Sequence, residues 1–292
     1  KLPFNYSVLT NLDYENIDYY KNFRNLENSF IKFIEKTPPT GKTIICASNR
    51  NIKKILKRIK NKNLLTYGDE IGVDYRITNL RFKVDYSIFD LNYRDNNNLK
   101  KKIKNICVKL LGKHNIFNAT AAVIVCINLG VPQNVIKKSL KRFTGVQRRM
   151  TKLFSRNNND FYDDYAHHPT EIKSILSSVK NVYDKRMIIA VFEPHRYSRI
   201  TSLKKEFSKS FTKADLVILC PLYAAGEKKN PNFNLTNFGK LISNKSKTQV
   251  IMVKNRNELS NYLKKNLTKD ELIIGMGAGI ISKWMAELKL IL

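Results

Sequence analysis

MIIAVFEPHRYSR, residues 187–199, is the stretch on which the fold reading turns. Its first six residues are uniformly apolar and rich in Ile and Val, with none of the polar alternation of a half-exposed strand. Such a run reads as a strand buried on both faces, the kind found in parallel sheets sandwiched between helices. These sheets bind ligands in the crevice beyond the carboxyl ends of their strands. Here that position carries His195, Arg196 and Arg199. Guanidiniums fork onto carboxylate or phosphate oxygens and keep their charge at any working pH, so the segment points to an anionic substrate.

Moving outward, strand-like and helix-like stretches alternate through residues 144–292. TKLFSR and FYDDYA flank an NNND turn, and a helix begins near Pro169. DLVILCP, QVIMVK and LIIGMGAG are further strands, separated by helices from Ser198, near 236–243 and near 256–266, with a last helix after GMGAG. The first half shows strands at SVLTNL (7–12) and TIICAS (43–48). Helices are expected over about 20–36, in the basic stretch RNIKKILKRIKNKN (50–63), and over 115–129 with Gly130 at its end. Another starts at Pro132. Between them lie β-rich runs at LLTYG, VDYRITNLRF, VDYSIFDLNY and ICVKLLG (106–112). The expected organisation is an α/β chain with a domain over 1–143 and a second, Rossmann-like domain over 144–292.

Composition limits the functional classes. The chain has 292 residues and a formal net charge of +29 from 53 Lys+Arg against 24 Asp+Glu. No apolar run approaches the ~20 residues of a bilayer span, so no membrane insertion is expected. Four cysteines stand far apart without a CxxC pair, which argues against a zinc site or disulfide framework. A cytoplasmic protein is the reading. The lysines are scattered and lack arginine–aromatic interleaving, so no specific nucleic-acid partner is expected. The first residue is Lys1 rather than Met, and a processed or truncated chain is expected from it.

The four histidines stand at strand–helix junctions: His114, the pair His167–His168, and His195. YDDYAHHPTE (162–171) adds Asp163 and Asp164 before a Pro-Thr-Glu helix start, suited to ribose hydroxyls, a metal, or helix capping. Asn115 and Asn118 in GKHNIFNATAA lie three apart on one helix face, where they could cap the helix or meet a base edge. TPPTGKT (37–43) has Lys36 where a phosphate-binding loop needs its first glycine, and it precedes a strand, so no phosphate cradle is implied. GMGAG (275–279) reads as close backbone packing beside a cleft.

Taken together, HNIFNATAA, GVQRRM, DDYAHHPTE, EPHRYSR and LYAAGE closely resemble the Mur ligases, in order and spacing, from TNLDYENID (10–18) to GMGAGIISK (275–283). The resemblance implies a Mur ligase central domain with a partial parallel sheet, followed by a Rossmann-like C-terminal domain. It implies ATP-dependent ligation, with Mg2+, of L-alanine to the carboxylate of UDP-N-acetylmuramate through an acyl phosphate, in peptidoglycan synthesis. By the family's motifs, His114, Asn115, Asn118, Arg148, Arg149 and Asp164 face the nucleotide. Tyr165, His167, His168, His195, Arg196, Arg199, Tyr223 and Glu227 surround the carboxylate and alanine, with His168, His195, Arg196 and Arg199 as the catalytic group. Closure of the second domain is expected to assemble the two sets. Two departures stand out. The family's UDP-binding domain and phosphate loop precede the TNLD strand and are not in these residues, and Asn16 occupies a position where the family has a metal-binding histidine. The alternative is a non-catalytic or partner-dependent module with the ligase fold.

Overall fold

The computed structural model describes residues 4–14, 17–60 and 63–292, in two compact units, Lys1–Thr144 and Gly145–Leu292. Asn16, the expected metal-binding position, lies outside the described residues.

In the first unit the elements run β1 (Tyr6–Leu9), α1 (Ile17–Tyr20), α2 (Phe23–Glu35), β2 (Lys42–Cys46), α3 (Arg50–Leu56), β3 (Leu64–Gly68), β4 (Tyr75–Phe82), β5 (Ser87–Arg94), β6 (Lys100–Val108), α4 (Lys113–Asn128) and α5 (Gln133–Arg142). The strands form one six-stranded sheet in chain order. β1 to β4 pair in parallel, whereas β4–β5 and β5–β6 are antiparallel. β6 begins six residues before the expected ICVKLLG run. Register explains this: Leu91 pairs with Ile103 and Phe89 with Ile106, and these buried partners carry Lys100–Lys102 into the strand beside them. As the sheet's edge strand, β6 tolerates those lysines in solvent. The basic helix is shorter than its apolar spacing suggests, ending at Leu56, although Ile59 still packs on the core.

In the second unit the elements are β7 (Thr151–Arg156), β8 (Asn159–Asp164), α6 (Pro169–Val182), β9 (Met187–Phe192), α7 (Tyr197–Ser202), α8 (Lys204–Phe207), β10 (Leu216–Leu219), α9 (Leu235–Ser246), β11 (Gln249–Met252), α10 (Arg256–Asn266), β12 (Glu271–Met276) and α11 (Ile281–Ile291). Their sheet has the order β11-β10-β9-β12-β8-β7, parallel except for the β7–β8 hairpin. The two-residue hairpin turn is Asn157–Asn158, both at positive φ (52° and 62°), the conformation a type I′ turn needs and asparagine tolerates. Five of the six β9 residues are buried. Ile189 and Val191 face one core cluster, while Phe192 meets the rings of Phe207 and Phe211 at 5.8 and 5.1 Å. β12 inserts between β8 and β9, so the strand order reverses there. The carboxyl ends of β8, β12, β9 and β10 therefore lie side by side at a topological switch point, where such sheets open a ligand crevice.

Candidate active site

The segment after β9 begins with Glu193, which is 3% exposed. Its carboxylate accepts the backbone N–H groups of Gly279 (2.8 Å), Ile280 (3.0 Å) and Ile281 (3.1 Å), so it caps the start of α11. Burial pushes its pKa upward against these bonds. A helix start after a glycine turn is a ready anion site, and here the chain fills it with its own carboxylate. A Cβ at Gly279 would stand 2.4 Å from Glu193 Oε1 and 2.6 Å from Tyr223 Cγ, which is why GMGAG must be glycine there.

His195 pairs with Tyr223 in a parallel bridge that extends the β9–β10 ladder. The Tyr223 N–H donates to Pro194 O at 2.8 Å and the Arg196 N–H to Tyr223 O at 2.9 Å. The two rings stack with centroids 5.5 Å apart. Arg199 Nη1 lies 3.0 Å from His195 Nδ1. A guanidinium only donates, so Nδ1 is the acceptor and the neutral ring carries its proton on Nε2. Burial first, then the charges of Arg199, His167 and Arg196, lowers the His195 pKa to about 4. Arg196 adopts φ 67°, a left-handed conformation rare outside glycine, and its buried Nε has no hydrogen-bond partner. That orphaned donor beside Arg199 fits an anionic group. α7, which carries Arg199, is fixed by Glu227: its carboxylate accepts the Ser198 N–H at 3.1 Å and the Ser198 hydroxyl. Burial alone would raise the Glu227 pKa, but these bonds and the Arg196 charge hold it below the usual range.

At the end of β8, Asp164 is 1% exposed and accepts the N–H groups of Met150 (2.7 Å) and Ala166 (2.8 Å). Burial raises its pKa to about 6 despite these bonds. Asp164 thus ties the GVQRRM segment to β8, with each carboxylate oxygen accepting one backbone N–H. His168, read above as catalytic, is buried and caps α6: its Nδ1 accepts from Thr170 N at 3.3 Å, and Glu171 closes a capping box. This is a structural use of that histidine. His167 is oriented by its own Nδ1, 2.9 Å from Tyr165 O. Its ring meets Tyr165 at 5.2 Å and His195 at 5.8 Å. Tyr165, His167, His195 and Tyr223 thus form a continuous row of rings across three strand ends. Arg149 is half exposed, 3.4 Å from Glu171, with its guanidinium carbon 5.8 Å from the Tyr165 ring centroid.

In the first unit, α4 begins after Gly112 (φ 98°) with no side-chain cap and no acidic residue in its first turn. His114 is half-buried and Asn118 exposed. The Asn115 amide donates to Leu111 O at 2.8 Å, which leaves its oxygen for a ligand. Lys113, one residue earlier, pairs with Asp69 at 2.5 Å, and the Ser48 hydroxyl donates to the same carboxylate at 2.8 Å. Neither this pair nor the Glu193 cap was found from sequence. An acid ending an otherwise apolar strand directly before PHRYSR was the available signal for Glu193. Among the described residues no three His, Cys, Asp or Glu side chains gather as a metal site.

Comparison with known proteins finds a match for each of the two units. The Mur ligase middle domain matches residues 1–126, and the Mur ligase, glutamate ligase domain matches residues 148–279. Between them they take in most of the chain, which belongs to the Mur ligase family. Within the family it is similar to the UDP-N-acetylmuramate–L-alanine ligase of Pelagibacter ubique, 45% identical over 287 residues, covering 98% of this chain and 62% of that protein. The ligase of the same name from Agrobacterium fabrum is 35% identical over 289 residues, covering 99% of this chain and 61% of that protein. Among solved structures, the MurC ligase of Thermotoga maritima shares the fold with a TM-score of 0.73 at 22% identity, covering 98% of this chain and 59% of that one. The chain thus spans about three fifths of the length of these relatives.

Proposed function

We propose that this chain carries the catalytic and amino-acid-binding part of a ligase that joins L-alanine to UDP-N-acetylmuramate with consumption of ATP, in peptidoglycan synthesis. The observation that carries the reading is the cluster at the switch point, where Arg196, Arg199 and a neutral His195 stand together with a buried, unpartnered Arg196 Nε. Such donors suit a substrate whose carboxylate gains negative charge as it reacts, because preorganised positive groups stabilise developing charge without reorganising. Similarity to two alanine-adding ligases over nearly the whole chain supports the same chemistry.

ATP, when bound, supplies the phosphoryl group that activates the carboxylate. Asn115 and Asn118, with His114, are proposed to hold the adenine edge, and Arg149, the more exposed of the paired arginines, to reach the phosphates. Arg196 and Arg199 hold the carboxylate and the oxygens that replace it. His195 donates from Nε2, a role fixed by the bond that Arg199 makes to Nδ1. Glu227 keeps α7 and hence Arg199 in place. The ring row from Tyr165 to Tyr223 shapes the space for the small amino acid. The test uses the protein as its cell makes it. Phosphate release is expected only when UDP-N-acetylmuramate, L-alanine and ATP are all present, and Arg199→Ala is expected to lower kcat/KM by roughly a hundredfold or more. Phosphate release that needs no amino acid, or an Arg199→Ala enzyme near wild type, contradicts the proposal.

A further inference from the structure

Arg148 shares the Tyr165 ring with its neighbour Arg149 but lies closer to it and has further partners of its own. One guanidinium nitrogen, Nη2, donates to Gly277 O at 2.7 Å. Nε lies 3.3 Å from Asp163 Oδ2. Asp163 is 3% exposed, and the same oxygen accepts the Ser282 hydroxyl at 2.6 Å. The Asp163–Ser282 pair thus presents a buried negative charge to the guanidinium from β8 and α11 together. The flat face of Arg148 lies over the Tyr165 ring, 4.7 Å from guanidinium carbon to centroid. Its backbone joins in, because the Tyr165 N–H donates to Arg148 O at 2.8 Å. Arg148 also takes φ 59°, a conformation most side chains avoid. One residue therefore grips Tyr165 by ring and by backbone, while being gripped itself by Asp163 and by the turn before α11.

We infer that Arg148 is a positioning residue for the amino-acid substrate, the fixed end of the ring row Tyr165–His167–His195–Tyr223, with Asp163 and Ser282 as its anchors. The inference rests on the ligase reading and deepens it. Lysine cannot replace arginine here, since an ammonium has neither the fork that spans Gly277 O and Asp163 nor the flat face that covers a ring. Loss of the Arg148 side chain removes the closer of the two guanidiniums over Tyr165, and through the contact of that ring with His167 it loosens the wall against which a small amino acid is held. Of the residues proposed for the nucleotide, Arg149 borders this network, its guanidinium carbon 5.8 Å from the Tyr165 centroid against 4.7 Å for Arg148.

The test is a double-mutant cycle read as KM for L-alanine, with KM for ATP as the control, on the protein as its cell makes it. Arg148→Ala and Tyr165→Ala are each expected to raise the L-alanine KM about tenfold, and Arg148→Ala, which leaves Arg149 on the ring, to keep the ATP KM within about twofold. Arg148→Lys is expected to behave like Arg148→Ala, and Asp163→Asn to fall between wild type and Arg148→Ala. The combined Arg148→Ala/Tyr165→Ala enzyme is expected to be no worse than the poorer single variant, as for residues acting through one another. Additive effects of about a hundredfold, a rescue by Arg148→Lys, or a parallel rise in the ATP KM of Arg148→Ala overturn the inference. A thermal midpoint within a few degrees of wild type for Arg148→Lys shows that the variant read is folded. Wild-type protein without alanine-dependent phosphate release defeats the ligase reading itself, whereas an active wild type with an additive cycle defeats only the role of Arg148.

Discussion

His195 follows β9 and Asp164 ends β8, on either side of β12, and their environments push their titrations in opposite directions. His195 has its pKa lowered to about 4 by burial and neighbouring positive charge. Its unfolded form titrates near 6.5, so between about pH 6.5 and 4 the unfolded chain binds more protons and the histidine's contribution to stability falls as pH falls. Asp164 is raised to about 6 by burial. There the folded state holds the extra proton, so stability present below about pH 4 is lost as pH rises through 6. Over the shared window the two residues oppose each other. Replacing His195 with Gln removes one of them, and the urea midpoint of the variant is expected to fall less than that of wild type between pH 7 and pH 5. Equal losses in the two proteins would show that the His195 shift is absent in solution. A neutral His195 at pH 7 is also what its bond from Arg199 requires, since a protonated ring has no acceptor to offer at Nδ1.

Individual elements owe their boundaries to short polar residues that the sequence supplies in quantity. Asn22, Asn49, Asn234 and Asn255 each accept a backbone N–H in the first turn of the helix they precede, at 2.9–3.0 Å. Asn255→Ala is expected to cost about 1 kcal/mol, the usual worth of a side-chain cap, read as a shift of the denaturation midpoint at unchanged slope. Gly279→Ala should be worse, because its Cβ meets Glu193 and Tyr223 at once and the cap of α11 must move. The expected signs are a lowered thermal midpoint and a raised L-alanine KM together. A loss of stability alone would detach this turn from the site. Elements of this kind were the most readable from sequence. The apolar run of β9 and the Asn-Asn turn before β8 state their conformations locally. The limits of β6 and α3 did not, because a lysine-rich stretch becomes strand or coil according to the neighbour it pairs with. The site divides along the same line. His167, His195, Arg196 and Arg199 were visible because they follow strands in sequence, Tyr223 came from the family resemblance, and the sheet order brings them together. The three backbone bonds to Glu193 and the Asp163–Ser282 anchor depend on contacts up to 119 residues apart, which no local pattern reveals.

At the scale of the whole chain the dominant fact is charge. With 53 basic and 24 acidic side chains, even complete one-to-one pairing leaves 29 cations without an acid. Each unit shares in the excess: residues 1–144 hold 27 basic and 11 acidic side chains, and residues 145–292 hold 26 and 13. Ion pairs such as Lys53–Glu70, Arg149–Glu171 and Lys283–Glu287 are substantially exposed, and pairs of that kind contribute between about 0 and 1 kcal/mol. Self-repulsion among the unpaired cations acts against them and against the folded state. Salt weakens both, so the sign of its effect shows which is larger. Raising sodium chloride from 10 to 150 mM shortens the screening length from about 30 to 8 Å. With unpaired cations in such excess, the thermal midpoint is expected to rise, and a gain of about 1 kcal/mol corresponds to roughly 2–4 °C for a unit of this size. A falling midpoint would mean that the ion pairs outweigh the repulsion. General screening separates from occupancy of the arginine cluster by exchanging chloride for sulfate at constant ionic strength. A further rise in sulfate that Arg199→Ala abolishes assigns that part to an anion held by Arg196 and Arg199, whereas a rise that survives the substitution is not anchored on Arg199.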